Sequence, residues 1–254
     1  MDRLVATPSD RFRYWEAWVR DEWVKAEALR LPKGSKVLDA GAGASKYRPF
    51  FSHCSYQTQD FCQYQGKLVK YVEPIDFVCE ITRVPLPDAS LDAILCTEVL
   101  EHVTDPVAVV REFARLIKPG GRVLLTAPFG SGLHMEPYHY HTGFTHYWYQ
   151  HWLPAVGFAI DSITPQGGPG RAVACSLDRF YTLWRAHGES LSGTRRALAR
   201  MGRLLLKLPT FYLVPWILPK LDRGFNQLAN PTGLMVAGTR VAPQAHSISV
   251  AQPA

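Results

Sequence analysis

The chain has 254 residues, 47% of them hydrophobic and 20% charged, with a formal charge of +6 at pH 7. That composition excludes a largely disordered chain and fits one large domain, or one domain carrying an insertion. The charge permits an anionic partner but is too small to indicate nucleic acid, and no run reaches the ~18 uninterrupted apolar residues of a spanning helix.

Met1-Asp2-Arg3 leads into a polar, aromatic-rich stretch, not the apolar core of a signal peptide. Residues Ser9 to Leu31 form a predicted helix rich in aromatics (Phe12, Trp15, Trp18, Trp23), expected to fold over the ligand edge of a sheet. From Lys36 to Pro128, short apolar strands alternate with helical patterns. Val37-Leu38 ends in Asp39-Ala40-Gly41-Ala42-Gly43, Ser55 to Gln59 ends in Asp60, and Asp76 to Cys79 ends in Glu80. Leu91 to Thr97 ends in Glu98, and Arg122 to Ala127 ends in Pro128. Between these last two, Val109, Val110, Phe113, Leu116 and Ile117 recur at helical spacing until Pro119-Gly120-Gly121 stops them.

Strands alternating with helices imply an α/β fold with a mostly parallel, doubly wound sheet. Such sheets bind ligands at the carboxyl ends of their strands, where Asp39, Asp60, Glu80 and Glu98 fall. Four regions are expected: a helical cap over 1–34, a core over 35–165 and 232–242, a helical insertion over 166–231, and a disordered polar tail over 243–254. The insertion interrupts a final hairpin of Phe158–Thr164 with Leu234–Val241. Within it Arg196, Arg200, Arg203 and Lys207 form one helical stripe, and Leu198, Met201, Leu205 and Leu208 face the other way. Phe211 to Pro219 is expected to be too broken by proline to span a bilayer. Two readings of 193–221 stand: a helical subdomain with a basic solvent face, or a peripheral membrane element with cations on anionic headgroups. The five cysteines (Cys54, Cys62, Cys79, Cys96, Cys175) form no C-x-x-C pair. They read as reduced residues of a cytoplasmic protein, at most peripheral to the inner membrane surface.

The glycine turn after the first strand implies a nucleotide-like ligand. Lys46 stands where the dinucleotide fingerprint needs its third glycine, and there is no G-x-x-x-x-G-K-[ST], which argues against NAD, FAD and a P-loop. The ordered set from Val37 to Gly43, Asp60, Glu80-Ile81 with Leu86-Pro87-Asp88, Leu91 to His102, and Leu116 to Gly121 resembles the class I S-adenosylmethionine-dependent methyltransferases. The resemblance covers Lys36 to Ile163 and implies a seven-stranded Rossmann-like sheet with S-adenosylmethionine as cofactor. It implies a cofactor site of Asp39, Gly41, Gly43, Asp60, Glu80, Ile81 and Glu98. Asp60 would take the ribose hydroxyls, and Glu80 and the Ile81 amide would take the adenine. Ser45 replaces the family's third loop glycine, and Glu80 its usual Asp.

Methyl transfer to oxygen or nitrogen needs the acceptor proton removed. The loop from His134 to Trp152 holds five of the nine histidines. Pro128-Phe129, His134 and Pro137-Tyr138 are similar to small methyltransferases of bacterial glycan and secondary-metabolite pathways, where an acid and an Arg replace His139 and His141. The expected general base is His134, with His139 or His141 second, and the expected acceptor is an oxygen on a sugar, glycan or small metabolite. A metal-dependent alternative uses Glu98, Glu101 and His102, completed by a loop histidine; a hard cation or, with imidazoles, zinc or iron would fit. A non-catalytic methyltransferase-like scaffold is the remaining alternative.

Overall fold

The computed structural model describes residues 14–66, 68–71 and 73–241. The expected tail over 243–254, and Ser9 to Arg13 of the expected first helix, lie outside the described residues. The chain divides into two compact units, 1–22 with 165–234 and 23–164 with 235–254.

The larger unit is built on a seven-stranded sheet. Its strands are β1 (Lys36–Ala40), β2 (Ser55–Asp60), β3 (Phe77–Val78), β4 (Leu91–Thr97), β5 (Ile117–Pro128), β6 (Phe158–Pro165) and β7 (Gly233–Arg240), in the spatial order β3-β2-β1-β4-β5-β7-β6. β1 pairs in parallel with both β2 and β4, so strand order reverses at β1 and a ligand crevice opens above its carboxyl end. Val37, Leu38 and Ala40 are buried on both faces of β1, as parallel strands require. At the far edge the Gln166 amide donates to the Gly233 carbonyl (2.9 Å) and the Val241 amide to that of Gly157 (2.8 Å), which makes β6 and β7 the antiparallel hairpin expected.

Helices cover the sheet more sparsely than an alternating pattern implies. Among the described residues a single α-helix, α2 (Pro106–Leu116), falls between β1 and β5. β1 and β2 are joined by one 3₁₀ turn, Arg48–Phe51, with Pro at its start. The second half of α1 (Trp15–Ala28) places Val24 and Ala28 in a cluster with Val37, Tyr47, Phe51, Leu95, Leu124 and Ala237. α2 buries Val109, Val110, Phe113 and Leu116. Asp105 caps it by accepting the Ala108 amide (2.9 Å), and Pro106 pre-sets its first turn. Ile117, whose spacing reads as helical, instead opens β5 opposite Leu91. α3 (His146–Ala155) is capped by Thr145, whose hydroxyl accepts the Trp148 amide (3.3 Å).

The smaller unit holds the insertion: α4 (Pro169–Ser190), α5 (Gly193–Leu208), a π turn over Pro209–Leu213 and α6 (Val214–Leu221). Its start is fixed by Asp222, which accepts the Gly170 amide (2.7 Å), and by Trp15, whose indole donates to the Gln166 carbonyl (2.8 Å). Gly188 lies against Ala199, Gly202 against Trp184, and Tyr181 edge-on to Phe211, so α4 and α5 pack side by side. Two expectations are corrected here. Gly193–Leu221 is one helical run of 29 residues, long and apolar enough by length and composition to cross a membrane. Pro209 and Pro215 flank the π turn, whose wider winding takes up the amides they lack, and Pro219 lies inside α6. The Leu face of α5 is also not turned into a core: Leu198, Met201, Leu205 and Leu208 are all more than half exposed.

One polar link carries the 80–90 loop. Glu112, buried on α2, accepts the Val84 amide (2.8 Å) and the Arg115 guanidinium (2.7 and 2.8 Å), and Arg115 also reaches Asp88 and the Val84 and Leu86 carbonyls. Glu112→Ala leaves the Val84 amide and a guanidinium short of an acceptor, and it is expected to cost ~2–4 kcal/mol. The exposed Arg111→Ala is expected to stay within ~0.5 kcal/mol. Urea midpoints of the two variants measure both.

Candidate active site

The loop after β1 turns back over β2. The amides of Gly41 and Ala42 both donate to the Gln59 carbonyl (2.8 and 2.9 Å), and Gly41, Gly43 and Ser45 all have positive φ (75°, 52° and 54°). Ser45 thus keeps the left-handed backbone that a third glycine would supply. Gly41 also has a packing role. A Cβ there would overlap the Val99 side chain, so its bareness serves packing against the turn after β4.

Asp60 sits at the end of β2 as expected, but its carboxylate is already engaged. Oδ2 accepts the Gly43 amide (2.9 Å), and Oδ1 accepts the Cys62 amide (2.9 Å) and the Tyr71 hydroxyl (3.1 Å). It therefore joins the glycine loop to the segment after β2. Gln59 extends that link by donating to the Cys79 carbonyl (2.6 Å), beside exposed Glu80 and buried Ile81. Asp39 is fully buried and accepts the Tyr56 hydroxyl. Burial drives its carboxyl up to about 7, with the Tyr56 bond and Lys46 pulling the other way. Glu98 leaves β4 with φ of 55°, a strained backbone for a non-glycine residue, and accepts the Thr126 hydroxyl (2.8 Å).

S-adenosylmethionine, the cofactor of the family the sequence resembles, fits these groups. An ionised carboxylate has about four acceptor positions, so Asp60 keeps one beyond its three donors, and exchange with Tyr71 frees another for ribose hydroxyls. The Ser45 hydroxyl is buried within the glycine loop with no hydrogen-bond partner among the described residues, a polar atom that a ligand there would satisfy.

The loop after β5 brings imidazoles together beside this edge. The Glu101 carbonyl accepts both the Tyr140 and His141 amides (2.9 and 3.1 Å), and the Pro128 carbonyl accepts the Phe144 amide (2.9 Å). A Cβ on Gly143 would overlap the Phe129 carbonyl, so glycine permits this docking. The rings of His102, His134 and His139 then cluster, with centroids 4.7 Å, 4.5 Å and 5.7 Å apart. Tyr138 stacks edge-on to Phe61, the residue after Asp60, at 5.0 Å. Of the three expected catalytic histidines, the fold groups His134 and His139. His141 lies apart, packed on Phe144 at 5.6 Å.

Carbonyls accept only, so the bond partners assign the tautomers. His134 Nδ1 lies 2.9 Å from the Gly132 carbonyl and carries the proton, leaving a lone pair on Nε2. His102 Nδ1 likewise donates to the Tyr138 carbonyl (2.6 Å), and its Nε2 stands 3.7 Å from buried Glu101 Oε1. Burial holds His102 down at about 4, with the two neighbouring imidazoles adding to the effect, so the ring stays neutral near pH 7. The Ser131 hydroxyl donates to the Thr142 carbonyl (3.0 Å) and so receives His139 Nε2–H (3.1 Å). The metal alternative changes membership: among the described residues, Glu101, His102 and His134 bring ligand atoms within 4.8 Å of one another, whereas Glu98 turns to Thr126. Sequence reasoning missed Tyr56, Tyr71, Thr126 and Ser131, which belong to no motif and meet their partners only through strand pairing and loop folding.

Asp39 and His102 give opposite pH dependences. Folded Asp39 keeps a proton that the unfolded chain releases from about 4 upward, so its contribution to stability falls as pH rises toward about 7. His102 is neutral in the fold but protonates in the unfolded chain below about 6.5, so its contribution is lost as pH falls toward about 4. Between these limits the two slopes oppose, each at most ~1.4 kcal/mol per pH unit. Urea denaturation of Asp39→Asn is expected to show stability rising across this window and of His102→Asn to show it falling; parallel curves would contradict the assignment.

The family model described as Methyltransferase domain matches residues 38–125. A ubiquinone biosynthesis O-methyltransferase of Xanthomonas axonopodis pv. citri is 33% identical over 118 residues, covering 42% of this chain and 48% of that protein. The chain thus spans about half the length of the curated relatives it matches. A candidate sarcosine dimethylglycine methyltransferase from Galdieria sulphuraria shares the fold at 19% identity, with a TM-score of 0.55 over 93% of this chain and 91% of that one. The cyclase SpnF does so at 17% identity, with a TM-score of 0.54 over 89% and 82%. One fold carrying a cyclase as well as methyltransferases shows that the site, and not the sheet, selects the reaction. Residues 38–125 thus match a methyltransferase domain, and the seven-stranded sheet that holds them has the fold of solved methyltransferases.

Proposed function

We propose that this protein transfers a methyl group to a hydroxyl oxygen of a small molecule, with His134 as general base. The observation that carries the reading is the 2.9 Å contact between His134 Nδ1 and the Gly132 carbonyl. The His134 Nδ1–H is held by this carbonyl, which directs the Nε2 lone pair to accept a proton, in a loop docked beside the Asp39–Gly43 and Asp60 edge. The name of the Xanthomonas relatives, an O-methyltransferase, supports oxygen as the atom.

S-adenosylmethionine supplies an electrophilic methyl on a good sulfonium leaving group, so alignment provides much of the acceleration. The chain's own part is to hold the cofactor and to manage the acceptor proton. Asp60, Glu80, the Ile81 amide and the loop from Asp39 to Ser45 bind the cofactor, and Glu98 borders them. Tyr138, braced on Phe61, walls the space beside Asp60. His134 Nε2 accepts the hydroxyl proton as the oxygen–methyl bond forms. Neutral His102 packs on His134 without adding a repelling cation, and Ser131 fixes the orientation of His139. A sugar, a glycan and other hydroxylated metabolites all satisfy this chemistry.

A metal-dependent variant has one observation in its favour, the Glu101, His102 and His134 grouping. In that reading His134 is a ligand and is no longer a base.

Calorimetric titration with S-adenosylhomocysteine is expected to show micromolar binding that Asp60→Ala abolishes. His134→Ala is expected to keep that affinity and to lower kcat on a panel of hydroxylated acceptors by ~10²–10⁴. Unchanged turnover would remove His134 from the role. Loss of turnover on chelation, restored by a divalent cation, would favour the metal variant.

A further inference from the structure

The helix from Gly193 to Leu221 presents a long apolar face that nothing among the described residues covers. Leu198, Met201, Leu204, Leu205, Leu208 and Tyr212 are each exposed by more than half, and the face continues through Trp216 (56%). Only 6% of the most apolar stretch of this helix is buried. A soluble monomer rarely leaves so large a contiguous patch to water.

Charge identifies the occupant. Residues 166–231 carry ten Lys and Arg against three Asp and Glu, a net +7, whereas the whole chain is +6. The remainder of the protein is therefore close to neutral, and the excess of positive charge sits in this one insertion. Along α5, Arg196, Arg200, Arg203 and Lys207 form a stripe about a third of a turn from the apolar face, and at the far end the Lys220 ammonium lies over the Trp216 ring. A second copy of the chain docking on this face would bring like charges together. A spanning orientation would carry Arg203 and Lys207 into hydrocarbon. Lying flat avoids both penalties, because leucines enter the acyl boundary, Tyr212 and Trp216 take the headgroup level, and the cations meet phosphates.

We propose that the 193–221 helix is a lipid-binding surface that lies in the interface of a membrane leaflet rich in anionic phospholipid. The inference is independent of the methyl acceptor. Two kinds of force act together on it, burial of apolar side chains and headgroup attraction, and each is removed by a different substitution.

The test is cosedimentation of the full-length protein with phosphatidylcholine vesicles, with and without phosphatidylglycerol. Strong pelleting is expected on the anionic vesicles and weak pelleting on the neutral ones, falling as salt rises. Arg196→Glu with Arg200→Glu is expected to weaken anionic binding at least about tenfold. Leu204→Ser with Leu205→Ser and Leu208→Ser is expected to abolish it while circular dichroism and S-adenosylhomocysteine affinity stay unchanged, since these side chains are exposed. A blue shift of tryptophan emission on vesicle binding that Trp216→Phe removes would place the aromatic end in lipid. No pelleting on anionic vesicles, pelleting indifferent to both sets of substitutions, or a stable dimer that the leucine substitutions dissociate would overturn the proposal.

Discussion

The candidate site hangs from two hydrogen bonds. The amides of Gly41 and Ala42 converge on one carbonyl, that of Gln59, and so fold the loop after β1 back over the end of β2. That fold is available only because β1 runs parallel to β2 and β4 at once, which brings three strand ends to one edge. Once the loop is back over β2, the Gly43 amide reaches Asp60 and the bare Gly41 receives Val99 from the turn after β4. A single close approach thereby couples the first, second and fourth strand ends, and the positive φ values of the loop follow from it.

The histidine loop depends on a second double bond of the same kind. One carbonyl, Glu101, takes the amides of Tyr140 and His141. The docking sets His139 and His134 against His102 while leaving His141 on Phe144. Three imidazoles in contact would repel one another if charged, and burial holds His102 in its neutral form. His134 and His102 each direct Nδ1 at a carbonyl, which turns Nε2 of both rings away from the backbone. Asp39 shows the same principle in reverse, with burial favouring its protonated form.

The insertion is organised by opposite rules. Its contacts are local, between α4 and the helix it packs beside, through small residues such as Gly188, Ala199 and Gly202. Its apolar surplus points outward and its cations run alongside, so the segment gains little from an aqueous environment. Charge and exposed apolar surface are concentrated together in the insertion, which lies outside the residues 38–125 that the family model matches.

Much of this was legible in the sequence. Strand ends in Asp39, Asp60, Glu80 and Glu98 and the interrupted hairpin are local patterns, set by side-chain alternation and glycine punctuation over a few residues. What the sequence could not show is which distant groups meet. The Gly43 and Tyr71 contacts of Asp60, the Val99 packing on Gly41 and the entry of His102 into the His134–His139 group depend on sheet register and loop docking beyond the reach of local patterns. The outward turn of the α5 leucines was hidden for the same reason. Periodicity defines a helix's two faces, but only the packing of α4 on α5 decides which of them is covered. The sequence by itself determined the sheet, the glycine loop and the cofactor class, because these rest on short-range rules; tertiary structure alone decided the proton-accepting cluster and the exposed apolar face, because both are outcomes of long-range packing.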